Sequence, residues 1–228
     1  ERGLPKLLPG LNFIAGLNGE TAQTYQMNFD LLKEIKDEGH WLRRINLRQV
    51  EGLGFQEVNE TDFSNFKQKV RDDFDAKWLE EMLPVGQKLG KVWWESHDSR
   101  TRLPRHLDES CRVEEIRGKP GVSFGRQIGA YPILIGMPYL APLESQSEVI
   151  VVGHGKRSIT AVESQIPFKS ATMAQLRSIP GIGEKAAWRL VSDRAKRQSK
   201  KRFEPDTIAE IFAESNLDCS PLAEQILQ

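Results

Sequence analysis

Leu176-Arg177-Ser178-Ile179-Pro180-Gly181-Ile182-Gly183-Glu184-Lys185-Ala186-Ala187-Trp188-Arg189-Leu190 decides how the second half of the chain is read. Before the glycines, Ala171 to Ser178 forms a short amphipathic segment with Leu176 and Ile179 on one face. After them, Glu184 to Arg197 is longer, with Ala187, Leu190 and Val191 in a stripe and Lys185, Arg189, Arg194 and Lys196 among the rest. Pro180 stops the first helix, and the two glycines let the backbone turn with φ values that other residues resist. The amides around Gly181 to Glu184 then stand at the start of the second helix, outside its ladder and at the positive end of its dipole. Such a place suits a phosphate. A plain glycine-rich corner, with Ile182 as a core plug, accounts for the same residues.

The order Leu-x-x-Ile-Pro-Gly-Ile-Gly-x-Lys-x-Ala-x-x-Leu resembles the helix-hairpin-helix motif. The resemblance implies that Pro180, Gly181, Ile182, Gly183, Lys185 and Arg189 grip nucleic-acid backbone, DNA or RNA, without reading sequence. Many such hairpins serve as protein–protein joints instead, and that alternative stays open here.

Charge patterning points the same way. The 228-residue chain carries no net charge, yet residues 166–202 hold ten Lys or Arg against two Asp or Glu, and residues 203–228 hold none against six. A strongly basic run around a backbone-binding hairpin favours a polyanion partner. The acidic tail folding back to neutralise it is the competing expectation. Hydrophobic content of 39% and charged content of 28% suit a soluble globular protein. No apolar run approaches the ~18 residues of a membrane helix, and the first residues do not look like a secretory signal. Cys111 and Cys219 lie too far apart for a metal cluster, and a reducing cytoplasm is the default compartment.

The first segment has a different texture. Leu11 to Ala15 is a short apolar strand, and Gly16-Leu17-Asn18-Gly19-Glu20-Thr21 is a turn. A helix follows to about Asp37, with Tyr25, Phe29, Leu32 and Ile35 on one face and Gly39 ending it. Residues Leu42 to Val50 are a second strand. Two parallel strands and one helix cannot bury both faces of a sheet, so this β-α-β unit reads as a piece of something larger.

Gly-Leu-Asn-Gly-Glu-Thr after an apolar strand resembles the Gly-x-Pro-Gly-Glu-Thr turn late in the barrel of radical S-adenosylmethionine (SAM) enzymes. Arg-Arg-Ile-Asn-Leu-Arg-Gln-Val is similar to the strand that follows there, and the whole order resembles an archaeal-type radical SAM protein ending in a helix-hairpin-helix. Asn18 stands where proline is more usual. A larger departure is the absence of the Cys-x-x-x-Cys-x-x-Cys run that would hold the four-iron cluster. The resemblance therefore implies a C-terminal fragment, its remaining N-terminal barrel segment being a partner, or a relic that has lost its chemistry. SAM and a [4Fe–4S] cluster are implied for the full-length protein only. By analogy, residues 13–16 and 45–49 line the SAM and substrate side, with Gly16, Gly19 and Glu20 toward the cofactor and Arg44, Asn46 and Arg48 toward substrate. For Glu20 a first-turn carboxylate facing the helix dipole is the competing expectation. For Arg44, Asn46 and Arg48 it is pairing with acidic neighbours.

Residues 59–83 form one long amphipathic helix, capped by Thr61, with Phe63, Phe66, Val70, Phe74 and Trp78 as a packing stripe and Pro84 as its boundary. From Val85 to Gln165 short β-prone runs alternate with Gly and Pro. They are Lys91–Glu95, Ile133–Ile135, Ser147–Val152 and Ser158–Val162, and they predict a small barrel. Ser123-Phe124-Gly125-Arg126-Gln127 beside Tyr131-Pro132 resembles the small β-barrel that follows the catalytic domain in several RNA-modifying radical SAM enzymes. Phe124, Arg126, Trp93 and Trp94 can stack on bases and pair with phosphates, or the tryptophans can be core. Residues 98–120 read as an extended loop. His154, between glycines and followed by Lys156 and Arg157, has no carboxylate or nucleophile beside it in sequence. His40, His97 and His106 have no ligand spacing, so neither a catalytic residue nor a metal site is assigned. The chain closes with helices from Pro205 to Ser215 and from Ser220.

The expected architecture is α/β plus a small β-barrel plus α. The end of a radical-SAM-type barrel occupies residues 1–58 and a bridging helix 59–83. A TRAM/OB-like β domain follows at 84–165, then a helix-hairpin-helix module at 166–228. The expected function is a C-terminal fragment of a radical SAM enzyme, inert alone, whose accessory modules bind nucleic-acid backbone. A stand-alone, non-enzymatic DNA- or RNA-binding protein is the alternative.

Overall fold

The computed structural model describes residues 8–50, 52, 54–98, 121–127, 133–199 and 207–228. The expected loop beyond Asp98, the Tyr131-Pro132 pair, Cys111, His106 and Pro205 lie outside these. The chain divides into two compact units, one reaching Pro84 together with His154–Arg157, the other Val85–Gly153 with Ser158–Gln228.

In the first unit β1 (Gly10–Ala15) and β2 (Arg44–Gln49) pair in parallel, Leu11 opposite Ile45 and Phe13 opposite Leu47. The crossover between them is α1 (Ala22–Asp37), and Gly39 follows with φ +79°. The stripe expected over residues 59–83 is the core of this unit. Phe66 packs edge-on against Phe13 and lies 5.4 Å from Tyr25, while Phe74 sits 5.1 Å from Phe29 and 5.5 Å from Trp78.

That stretch is not one regular helix, however. It runs as α2 (Glu60–Val70), a π-helical turn over Arg71–Asp75, and α3 (Ala76–Met82), with the Ala76 amide donating to the Arg71 carbonyl. The wider turn carries Arg71 to the Ile45 carbonyl, 2.9 Å away. A continuous apolar stripe does not reveal an inserted residue when the insertion leaves Val70, Phe74 and Trp78 all facing inward. The cap also differs from the expected Thr61. Asn59 takes the position, its side-chain oxygen accepting from the amides of Thr61 and Asp62 at 3.1 Å each.

The second unit holds a closed, mixed five-stranded barrel. Its strands are β3 (Lys88–His97), β4 (Ser123–Gln127), β5 (Leu134–Met137), β6 (Gln146–His154) and β7 (Ser158–Glu163), in the order β3-β4-β5-β7-β6 around the barrel. β3 is antiparallel to both β4 and β6, and β5 is parallel to β7. β3 uses its two edges for its two partners, and its register shifts in each pairing, between Leu89 and Val92 against β6 and between Trp94 and Ser96 against β4. Each irregularity bends the strand toward closure. Leu89, Val92, Trp94, Ile135, Met137, Val151 and Ile159 fill the interior.

Among the described residues four helices complete the unit: α4 (Met173–Arg177), α5 (Glu184–Ser199), α6 (Ile208–Glu214) and α7 (Pro221–Ile226). They are fastened to the barrel's exit strand by the chain end. Ile166 donates to the Ile226 carbonyl at 2.8 Å and accepts from Gln228 at 3.0 Å, while Gln225 reaches the Gly86 carbonyl at 3.1 Å.

Candidate functional site

The α4–α5 corner is built by local chemistry. Thr172 caps α4, its hydroxyl accepting from the Gln175 amide at 3.1 Å while Gln175 returns a bond to the Thr172 amide at 2.9 Å. After Ser178 the chain turns through Pro180 and Gly181, the latter at φ +90°. The Ile182 amide donates to the Ile179 carbonyl at 3.0 Å, and the Gly183 carbonyl accepts the first bond of α5, from Ala187 at 2.9 Å. Leu176, Ile179, Ile182, Ala187 and Leu190 are buried together as the plug of the corner.

Pro180, Gly181, Gly183, Glu184 and Lys185 are exposed. Among the described residues, the amides of Gly181, Gly183, Glu184 and Lys185 have no hydrogen-bond partner. A side chain placed on Gly183 would meet no atom within 4 Å, so the turn is open to an approaching group. Arg177 lies 3.9 Å from the Glu184 carboxylate, partly offsetting the one negative charge at this helix start.

Arg189 is arranged differently from Lys185. Its guanidinium donates to the Ser215 carbonyl at 3.1 Å and lies 3.4 Å from that of Asn216. Arg194 donates to the carbonyls of Phe168 and Ala171 at 2.8 and 2.7 Å. Arg197 pairs with Glu214. The acidic tail thus does fold onto α5, but it engages the far end and one flank of the helix. Trp188, to which the sequence pattern assigns no role, is 65% exposed. Its position one residue off the Ala187–Leu190 stripe was the available signal.

In the first unit the Gly16–Glu20 turn is knitted internally. Gly16 adopts φ +97° and donates to the Glu20 carboxylate at 2.9 Å, and Gly19 donates to the Gln56 side chain at 3.2 Å. Glu20 precedes Thr21, the residue capping α1, so it is not in the helix's first turn. Its carboxylate faces Tyr25, whose phenol burial and this acceptor push well above its ordinary range.

One face of the strand pair is open. Gly10, Asn12 and Ile14 align with Arg44, Asn46 and Arg48, and Asn46 donates to the Asn12 side chain at 2.8 Å. Ile14 is 47% exposed on that face, whereas Ile45 on the opposite side is fully buried.

A charged group centred on Asp75 lies in the same unit, and Arg44 is near enough to its member Arg157 to act on it. The Asp75 carboxylate is bonded to Arg71 and lies 3.9 Å from Arg157. Burial raises the Asp75 pKa, and the two guanidiniums act against that rise. Burial, Arg71 and Arg44 in turn lower that of Arg157. Lys156 pairs with Asp72 at 2.7 Å, and a ring nitrogen of His154 lies 2.6 Å from the Leu83 carbonyl. The cations after His154 are therefore engaged with the helix rather than free for a ligand.

On the barrel, Trp94 is core, donating its indole N–H to Ser147 at 2.8 Å, and Trp93 is half-buried. Phe124 and Arg126 are also half-exposed, Arg126 pairing with Glu95.

No group of three or more His, Cys, Asp or Glu among the described residues can hold a metal ion. The [4Fe–4S] cluster that the resemblance implies is held by at least three cysteine thiolates, and the whole sequence has two cysteines, so these residues do not fit that cluster. No helix of the described residues is long and apolar enough to cross a membrane.

No family model matches the chain. Over 189 residues it is 34% identical to an uncharacterized protein of Archaeoglobus fulgidus, a match covering 78% of this chain and 32% of that protein. Over 171 residues it is 35% identical to an uncharacterized protein of Methanocaldococcus jannaschii, covering 70% and 28%. The chain spans about a third of the length of the curated relatives it matches.

Proposed function

We propose that this chain is the nucleic-acid-binding C-terminal portion of a cytoplasmic radical SAM protein. In this reading the α4–α5 corner acts as a helix-hairpin-helix and the barrel as an OB-type accessory module. The observation that carries it is the turn at Gly181–Lys185. Four unpartnered amides stand at a helix start, beside the exposed Lys185 and with nothing over Gly183. A phosphate satisfies those donors and sits at the favourable end of the dipole.

Support for the barrel assignment comes from its order. The first strand pairs with the second and the fourth, and the third runs parallel to the fifth. In OB folds the face of strands two and three receives oligonucleotides. Phe124 and Arg126 lie on the corresponding strand here. Support for the enzyme part is the bare face of Asn12, Ile14, Arg44, Asn46 and Arg48, which suits the interior of a larger barrel. The curated relatives are long enough to hold one outside the matched region. Any cluster and any radical chemistry belong to that part, and no step is assigned to residues of this chain.

The test is a salt titration of binding to mixed-sequence duplex and single strands. Affinity is expected to be about micromolar or weaker, to be indifferent to sequence and to fall steeply with salt. Gly183→Val should abolish most of it while the fold is retained. Lys185→Ala should reduce the salt slope by about one. Parent-like binding by both variants would make the corner a structural joint.

A further inference from the structure

Five tryptophans occur in the chain, and the environment of one differs from the rest. Trp78 and Trp94 are buried, Trp41 and Trp93 are half-buried, and Trp188 is 65% exposed. Among the described residues no aromatic ring, cation or hydrogen-bond acceptor partners the Trp188 indole. Its place on α5 is specific. Ala187 and Leu190 fix the buried side of that helix, so Lys185 and Trp188, three residues apart, project as neighbours on the solvent side. Three residues are about 4.5 Å of helix rise, so the indole stands within one turn of the unpartnered amides.

We propose that Trp188 is a stacking platform for an unpaired nucleobase, making the corner selective for single-stranded nucleic acid over duplex. The inference rests on the reading of the corner as a phosphate grip and adds the ligand class to it. A phosphate held at the amides of Gly183 to Lys185 brings the attached nucleotide alongside the first turn of α5. An indole face there competes with water for the apolar face of the base. In a duplex both faces of each base are already covered by neighbouring pairs, and the ring gains nothing. A single strand has faces to offer. Stacking adds no phosphate contact, so it changes affinity without changing the number of counterions released.

The experiment uses the 228-residue chain and a fluorescein-labelled oligothymidylate of about 20 nucleotides, alone or annealed to oligoadenylate. Parent, Trp188→Ala and Trp188→Phe are compared across a salt series. Trp188→Ala is expected to weaken single-strand binding about tenfold, to leave duplex binding unchanged and to keep the parent's salt slope. Trp188→Phe, which keeps a ring, is expected to stay close to the parent. The exposed site makes loss of folding in either variant unexpected, and thermal melts of all three proteins verify it. If Trp188→Ala binds the single strand like the parent, or loses single strand and duplex equally, the stacking role is overturned while the phosphate grip stands. If the parent binds neither probe in a salt-dependent way, the phosphate grip fails and this inference with it.

Discussion

The Arg189 guanidinium donates to the Ser215 carbonyl at 3.1 Å, closing the end of α6 onto the outer flank of α5. The next residue, Asn216, takes the left-handed conformation at φ +51° that terminates many helices. Arg189 therefore satisfies carbonyls that the helix leaves open. Arg189→Ala is expected to lower the stability of the second unit by ~1–2 kcal/mol in a urea titration. Arg189→Lys should recover only part, since the shorter lysine side chain does not carry its nitrogen to the place from which one guanidinium nitrogen serves both carbonyls. An unchanged midpoint for the alanine variant would remove this role. Its salt slope for nucleic acid should change less than that of Lys185→Ala.

Gly16 and Gly19 share a turn and a positive φ but differ in surroundings. A Cβ on Gly16 would lie 2.7 Å from the Val50 carbonyl, whereas one on Gly19 would meet nothing within 4 Å. Gly16→Ala is expected to cost about 2–4 kcal/mol, combining backbone strain with a clash, and Gly19→Ala about 1 kcal/mol from strain alone. Equal losses for the two variants in chemical denaturation would mean that the turn simply moves to accommodate the new methyl.

Asp75 gives the first unit a pH dependence of defined sign. Its carboxyl is held above the ordinary value of 3.8 because burial outweighs the attraction of Arg71 and Arg157. A carboxyl raised on folding holds its proton more tightly in the folded chain. Its stabilising contribution is complete below the unfolded value and is lost as pH rises through the folded one. Relative to Asp75→Asn, the parent should therefore lose stability with rising pH in the window directly above 3.8 and run parallel to it further up. A parent that gains stability over the variant in that window would show that the arginines dominate.

Trp94 is fully buried and its indole N–H has Ser147 as partner at 2.8 Å. Ser147→Ala leaves that donor without an acceptor inside the barrel and should cost about 1–3 kcal/mol. Ser147→Thr, which keeps the oxygen, should cost less. Near-ultraviolet circular dichroism would register the altered indole environment. A silent alanine variant would mean that water replaces the hydroxyl.

Elements with a strong local signature were legible in the sequence. Apolar periodicity marked both parallel strands, α1 and the aromatic stripe, and Pro180, Gly181 and Gly183 marked the α4–α5 corner. Strand runs near Trp93, Ile135, Val149 and Ile159 were enough to expect a small barrel. The cap of α2 was misassigned because Asn59 and Thr61 are both capping residue types and stand two positions apart. The π turn was missed because it preserves the inward face of the stripe.

What the sequence by itself determined is the set of local units: strand, helix and turn propensities, and the composition of the exposed glycine turn. What only the tertiary structure decided is which polar groups remain free. Arg189, Arg194 and Arg197 look equivalent to Lys185 in a list of charges, yet the three arginines are turned to carbonyls and a carboxylate brought in from other parts of the chain. Lys156 and Arg157, beside a glycine turn, are likewise held by Asp72 and Asp75 from far along the sequence. Periodicity reports a residue's own helix or strand. It carries no information about the distant carbonyl or carboxylate that will meet the side chain, and that meeting decides whether a charge holds the fold together or faces a ligand.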